Sequence, residues 1–246
     1  MINETILGDC TEIMKGIPDE SIDMVLCDLP YGTTRCKWDT IIPFGPLWAE
    51  YSRVCKLHAP MIFTASQPFT SQLINSNIKN FKYTWVWEKS KATGYLNAKR
   101  MPMRAHEDIC VFYKKPPVYN PQMRHGDPYN KGKAHRPTEV YGPQVSTLVK
   151  NDTGLRYPRT VVYFKTAESE GKVYHPTQKP VALFEYLINT YSNEGDVILD
   201  SCMGAGTTGL AALNTGRRFI GIDSDPKYVD IANQRINNLI RRGKLK

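Results

Sequence analysis

The chain has 246 residues, a net charge of +8, and 41% hydrophobic and 11% aromatic content. That apolar share excludes wholesale disorder and suffices for a buried core, as one large α/β domain or two small ones. No apolar run approaches the ~20 residues of a bilayer-spanning helix, and the surplus of base suits a polyanionic partner such as nucleic acid.

The cysteines (Cys10, Cys27, Cys36, Cys55, Cys110 and Cys202) are scattered and form no C-x-x-C pair. Such usage speaks against zinc, another metal or a disulfide framework, and for a reducing, cytoplasmic setting. The opening "MINETILGDC" lacks the basic-then-apolar pattern of a signal peptide.

In chain order, "ETILGD" and "SIDMVLCD" read as short buried strands ending in acids. "PLWAEYSRVCKL" sets Trp48, Tyr51 and Cys55 at helical spacing, "APMIFTAS" is a strand, and "PFTSQLINS" is a helix with Pro68 in its first turn. "KYTWVWEKS" and "EDICVFYKK" are two strands expected to pair at the sheet edge, with Trp85 and Trp87 as packing residues. From about Lys114 to Gly171 the sequence is crowded with proline, glycine, basic residues and tyrosine, and shows no sustained period. Basic residues interleaved with Tyr119, Tyr129, Tyr141 and Tyr157 suit phosphates and unstacked bases; a flexible surface insertion is the plain alternative.

Regular structure then returns. "KPVALFEYLINTYS" carries Phe184, Leu187, Ile188 and Tyr191 on one helical stripe. "GDVILD" and "RRFIGID" are strands flanking the helix "TTGLAALNTG", and the final helix places Val229, Ala232, Ile236, Leu239 and Ile240 on one side. This alternation predicts an α/β fold, a doubly wound, mostly parallel sheet with helices on both faces.

Gly204 and Gly206 fall between a strand and a helix, where glycine lets backbone N–H groups approach a ligand beside the positive helix end. The next strand ends in Asp223, the position at which an acid holds a ribose hydroxyl pair, while Asp225 suits a helix cap. Asp200 ends the preceding strand and faces the same crevice. With Gly209 counted, G-x-G-x-x-G is formally complete, so a dinucleotide site stays open beside an adenosine-type cofactor.

"CDLPYGTT" supplies the chemistry. Asp28 ends a parallel strand, the edge at which α/β sheets bind ligands. The exocyclic amine of adenine or cytosine is a poor nucleophile because its lone pair is delocalised into the ring. A carboxylate (Asp28) and a backbone carbonyl (Pro30) that accept its two hydrogens favour a pyramidal nitrogen, and the Tyr31 ring can stack on the base.

Asp28-Leu29-Pro30-Tyr31 resembles the (D/N/S)-P-P-(Y/F/W) motif of DNA amino-methyltransferases, "DSCMGAGT" (200–207) resembles their S-adenosylmethionine loop, and "HPTQKP" (175–180) resembles the segment closing over the cofactor's methionine end. The order of these motifs matches the permuted, β-type arrangement of that N6-adenine/N4-cytosine family. The resemblance implies a Rossmann-like methyltransferase fold, circularly permuted: residues 1–113 form the catalytic half, 114–172 a target-recognition insertion and 173–246 the cofactor half.

It further implies the role of each position. Asp28, Pro30 and Tyr31 are the expected catalytic residues. Asp9, Cys10, Asp28, Thr177, Lys179, Asp200, Cys202, Gly204, Gly206, Thr207 and Asp223 are the expected S-adenosyl-L-methionine contacts. "MRAHEDICVFYK" puts Arg104, His106 and Glu107 near the base pocket, and Arg104, His106, Lys131, Lys133 and Arg136 are the expected DNA contacts. On the residues alone, His106 reads first as a structural histidine, and Thr177 also reads as a helix cap. Leu29 stands where the family has its first proline, and Cys202 where it often has phenylalanine.

The implied substrate is double-stranded DNA, with adenine N6 favoured by the Asp-first motif and cytosine N4 the alternative. An RNA or protein amino-methyltransferase, an NAD-dependent oxidoreductase and an idle DNA-binding module are weaker readings. The resemblance also allows a homodimer and a cognate restriction endonuclease, and no membrane partner.

Overall fold

The computed structural model describes residues 2–36, 38–133, 139, 142, 148–241 and 243. The chain divides into a larger compact unit, residues 1–120 with 160–246, and a smaller one, residues 121–159.

In the larger unit the elements run β1 (Glu4–Leu7), α1 (Cys10–Met14), β2 (Met24–Cys27), α2 (Phe44–Val54), β3 (Met61–Ala65), α3 (Phe69–Ser76), β4 (Phe81–Thr93) and β5 (Arg104–Phe112). The smaller unit holds β6 (Arg124–His125), β7 (Tyr129–Lys133), β8 (Leu148–Asn151) and β9 (Leu155–Arg156), in two antiparallel ribbons, β6 with β9 and β7 with β8. The larger unit resumes with β10 (Val161–Phe164), α4 (Val181–Tyr191), β11 (Val197–Asp200), α5 (Thr207–Asn214), β12 (Arg218–Asp223) and α6 (Pro226–Arg241).

Its strands form one sheet in the order β1-β12-β11-β2-β3-β5-β4-β10. Neighbours are parallel except where β5 runs against β3 and β4. β4 and β5 do pair, as their sequences predict, but not at the edge: β5 lies inside the sheet, and Val161–Phe164 adds outside β4. That edge strand comes from the segment 114–172, so only its middle, residues 121–159, forms a separate unit.

Alternation along the strands sorts side chains onto two faces. Val25 and Cys27 pack with Tyr51, Phe63 and Phe69 under α1–α3, whereas Met24 and Leu26 pack with Phe184, Leu187, Phe219 and Ala232 under α4–α6. Each large apolar side chain so buried contributes ~1.5–3 kcal/mol. Trp85 and Trp87, two residues apart, share one face, both buried; their indole N–H groups donate to Tyr191 Oη and the Phe164 carbonyl. In α6, Val229, Ala232 and Ile236 are buried as the pattern predicts, but Ile240, in the last turn, is exposed.

Candidate functional site

β2 and β11 lie side by side at the middle of the sheet, with Met24 beside Ile198 and Val25 beside Leu199. From this pair the chain proceeds outward in opposite directions, β2 to β3 and β11 to β12. That is the topological switch at which open α/β sheets form a ligand crevice beyond the carboxyl ends of the strands. Asp28 follows β2 there, and Asp200 is the last residue of β11.

The Asp28 carboxylate is held from three sides. Oδ1 accepts from Tyr31 Oη at 2.8 Å and from Thr64 Oγ1, and Oδ2 accepts from Lys179 Nζ at 2.6 Å. Lys179 also lies 3.5 Å from Glu107, whose other oxygen is 3.2 Å from Lys89 Nζ. Two carboxylates therefore alternate with two buried ammonium groups. Burial alone would push Lys179 down, but Asp28 and Glu107 outweigh it and hold the ammonium above its usual range. Burial likewise raises Glu107, and Lys179 and Lys89 more than reverse it, so this carboxyl sits below the usual range. Such a set costs heavily if one partner is removed.

The turn after Asp28 is fixed by a residue that the sequence reading passed over. Asp39 is buried and accepts from the backbone N–H groups of Gly32, Thr33 and Thr34 at 2.8, 2.9 and 2.7 Å. Gly32 has φ +66, and a Cβ there would sit 2.9 Å from Ile41, so this turn demands glycine. Phe69 stacks on the Tyr31 ring at 5.1 Å and Lys179 Nζ lies over it at 5.5 Å.

The opposite wall comes from β11, β12 and the start of α1. Asp223 Oδ2 accepts from Gly204 N–H at 2.7 Å and Oδ1 from Asp225 N–H at 2.9 Å; burial raises its carboxyl and these bonds oppose it. Asp225 caps α6 through Lys227 N–H. Asp200 accepts from Thr208 Oγ1 and from Cys202 N–H at 3.0 Å, and burial lifts its carboxyl to about 6 against these bonds. Asp9 caps α1, accepting from Thr11 and Glu12 N–H. His175 packs between Trp38 (4.8 Å) and Tyr228 (4.3 Å), and its Nδ1 accepts from Thr177 N–H at 3.2 Å. Thr177 does not cap α4. The exposed N–H groups of Val181 and Ala182 are taken by Glu170 instead.

These walls enclose a cavity of about 690 Å³, within the range of small-molecule sites. Asp9, Cys10, Asp28, Pro30, Tyr31, Arg104, Thr177, Lys179, Asp200, Cys202, Gly204, Thr207 and Asp223 all line it. Gly206 does not: its φ is +83 and a Cβ would meet Ala232 at 2.9 Å, so α6 packing explains it. Gly209 is a packing glycine too, with Met203 and Phe219 against it. His106 is exposed rather than a buried structural histidine, and with Arg104 it lines a neighbouring recess of about 200 Å³. In the smaller unit, Lys131 and Lys133 lie exposed on β7, and Lys131 Nζ and the Arg156 guanidinium lie 5.2 and 4.9 Å from the Tyr129 ring. Arg136 and Tyr141 fall outside the described residues.

Sequence reasoning also missed Thr64 and Lys89. Neither belongs to a local motif; the pairing of β3 with β2 brings Thr64 to Asp28, and that of β4 with β5 brings Lys89 to Glu107.

A Rossmann-like crevice with an acid at the end of one central strand and a glycine turn after its neighbour is an arrangement found in α/β methyltransferases, and comparison with known proteins places the chain among them. The chain belongs to the DNA methylase family (N6_N4_Mtase), whose profile matches residues 22–234. It is 26% identical to the Type II methyltransferase M.HpaI of Haemophilus parainfluenzae, over 97% of this chain and 75% of that protein. Identity to M.HinfI of Haemophilus influenzae is 28%, over 97% and 69% respectively. Among solved structures, the M1.HpyAVI–SAM complex superposes with a TM-score of 0.66 at 26% identity, covering 95% of this chain and 98% of that one. Among the described residues no helix is long and apolar enough to cross a membrane.

Proposed function

We propose that this DNA methyltransferase methylates the exocyclic N6 of adenine in double-stranded DNA, on a base extruded from the duplex into the crevice. The observation that carries this reading is the Asp28 carboxylate, fixed by Tyr31, Thr64 and Lys179 on the wall facing Gly204 and Asp223.

The cofactor is S-adenosylmethionine, and the residues present fit it. Asp223 and Gly204 suit the ribose end, since a carboxylate offers about four lone-pair sites and Asp223 fills two with backbone N–H groups. Asp9 and Cys10 suit the adenine, and Asp200, Thr177 and Thr207 the amino-acid end. Lys179, expected at that end too, is committed to Asp28 and Glu107. When bound, S-adenosylmethionine supplies an electrophilic methyl group on its sulfonium.

The chain's own residues prepare the amine. Asp28 already accepts three hydrogen bonds, which leaves about one lone-pair site for an amine hydrogen. The Pro30 carbonyl accepts the other, so the nitrogen pair is released from the ring. Tyr31, fixed by Phe69, gives the base an aromatic wall. These groups act by positioning and by excluding water. The basic smaller unit contacts DNA through Lys131 and Lys133, and its phosphate contacts make binding salt-dependent.

Transfer of labelled methyl groups to unmethylated DNA, followed by separation of the nucleosides, tests the reading. N6-methyldeoxyadenosine is the expected product. N4-methyldeoxycytidine would overturn the choice of base, and no DNA product despite cofactor binding would overturn the choice of substrate.

A further inference from the structure

Beyond the crevice the hairpin between β4 and β5 carries a feature that the chemistry above does not use. Thr93 and Arg104, the last paired residues of the two strands, both line the cavity, so the tip, residues 94–103, starts at its mouth. Leu96 is 96% exposed and Tyr95 78% exposed, and Met101 and Met103 are exposed beside them. Apolar side chains this bare on a projecting tip cover no core of their own.

The tip is nonetheless an ordered set of turns. Gly94 takes φ +92, and backbone bonds run from Asn97 N–H to the Gly94 carbonyl (2.9 Å), Ala98 N–H to Tyr95 (3.0 Å) and Arg100 N–H to Asn97 (2.8 Å). Leu96 is therefore presented on a preformed support, which lowers the ordering cost of inserting it elsewhere. Lys91, Lys99, Arg100 and Arg104 are exposed around it, and no carboxylate falls between Glu88 and Glu107. This charge selects the occupant. A second copy would set like charges against each other, whereas a polyanion would be held by them.

We propose that the β4–β5 tip is a wedge for duplex DNA. Leu96, backed by Tyr95, enters the base stack beside the extruded nucleotide, and Lys91, Lys99 and Arg100 hold the flanking phosphates. The proposal rests on the DNA amine-methylation reading. Extruding a base opens a gap and unstacks its neighbours, and apolar side chains inserted at such steps stabilise the opened duplex. A leucine at the mouth of the pocket that receives the base is placed for that task.

The test compares wild type with Leu96→Gly and with the double variant Lys99→Ala/Arg100→Ala. Methylated positions are first mapped by sequencing wild-type product, and short duplexes are built around one of them. The target base is either correctly paired or placed opposite an abasic site, which lowers the cost of extrusion. On the paired duplex, Leu96→Gly should slow single-turnover methylation roughly 10–100-fold, and on the abasic partner it should come within about 3-fold of wild type. Lys99→Ala/Arg100→Ala should weaken binding of both duplexes alike, with a shallower salt dependence. Leu96 buries nothing, so melting and cofactor binding should not change.

Wild-type rates for Leu96→Gly on the paired duplex, or the same deficit on both duplexes, would overturn the wedge. So would conversion of a dimer to a monomer by Leu96→Gly in sedimentation, because the tip would then be a contact between copies. Failure of wild type to methylate any DNA would be seen before a variant is made, and would remove the underlying reading instead.

Discussion

Lys179 Nζ lies 2.6 Å from Asp28 Oδ2, so a buried ammonium group joins the acid at the end of β2 to the segment that leads into α4. The same ammonium lies 3.5 Å from Glu107 on β5. Replacing Lys179 by Met should leave two carboxylates without their shared cation, at a cost of ~3–5 kcal/mol in denaturant unfolding. Glu107 is held below its unfolded value, so its share of stability is present above about 4.5 and lost as pH falls through the folded value. The gap between wild type and Lys179→Met should accordingly narrow below pH 4.5. A gap that does not change with pH would show that lost packing, not charge, is the cause.

Asp39 governs the turn rather than the amine. Asp39→Ala leaves the N–H groups of Gly32, Thr33 and Thr34 without their acceptor. A loss of roughly 1–3 kcal/mol is expected, with faster amide hydrogen exchange at these three positions and little change in the β-sheet. Methyl transfer should fall through kcat more than through the cofactor's Kd, since the turn positions Tyr31. Unchanged exchange at Gly32–Thr34 would contradict this role.

Asp200 opposes folding at neutral pH. Its carboxyl is lifted to about 6 by burial, so the folded state binds the proton more tightly than the unfolded one. Stability is thus lost as pH rises from about 4 to about 6, by on the order of 2–3 kcal/mol. Asp200→Asn keeps one oxygen to accept from Cys202 N–H, reverses the other bond so that its amide N–H donates to Thr208 Oγ1, and should remove most of that loss. Chemical denaturation of the cofactor-free protein at pH 4 and pH 7 checks it. The variant's advantage should be small at pH 4 and larger at pH 7, and an advantage of equal size at both would contradict the burial argument.

Much of this was legible in the sequence, for identifiable reasons. Short apolar runs ending in Asp28, Asp200 and Asp223 mark buried parallel strands, and the glycines after Asp200 mark the turn into α5. Local spacing carries such information. It does not carry the place of β5 inside the sheet, because Ile109 and Val111 are buried whichever strands flank them. Nor does it reveal the Asp28–Lys179–Glu107–Lys89 set, whose members meet only through the fold. Gly206 carries two signals at once. It sits in a ligand-loop pattern, yet its close neighbour is Ala232 of α6. Asp39 could have been found from "GTTRCKWD", where an acid follows a glycine turn closely enough to reach its N–H groups.

The most direct measurement is methyl transfer from labelled S-adenosylmethionine to unmethylated duplex DNA by wild type, Asp28→Asn and Asp28→Ala, with cofactor binding and melting measured on each. The wild type should yield N6-methyldeoxyadenosine, and Asp28→Ala, saturated with cofactor, should transfer at least ~100-fold more slowly. Asp28→Asn, which keeps one acceptor oxygen, should fall between them. Transfer by a folded, cofactor-binding Asp28→Ala at the wild-type rate would contradict the role of Asp28 in preparing the amine.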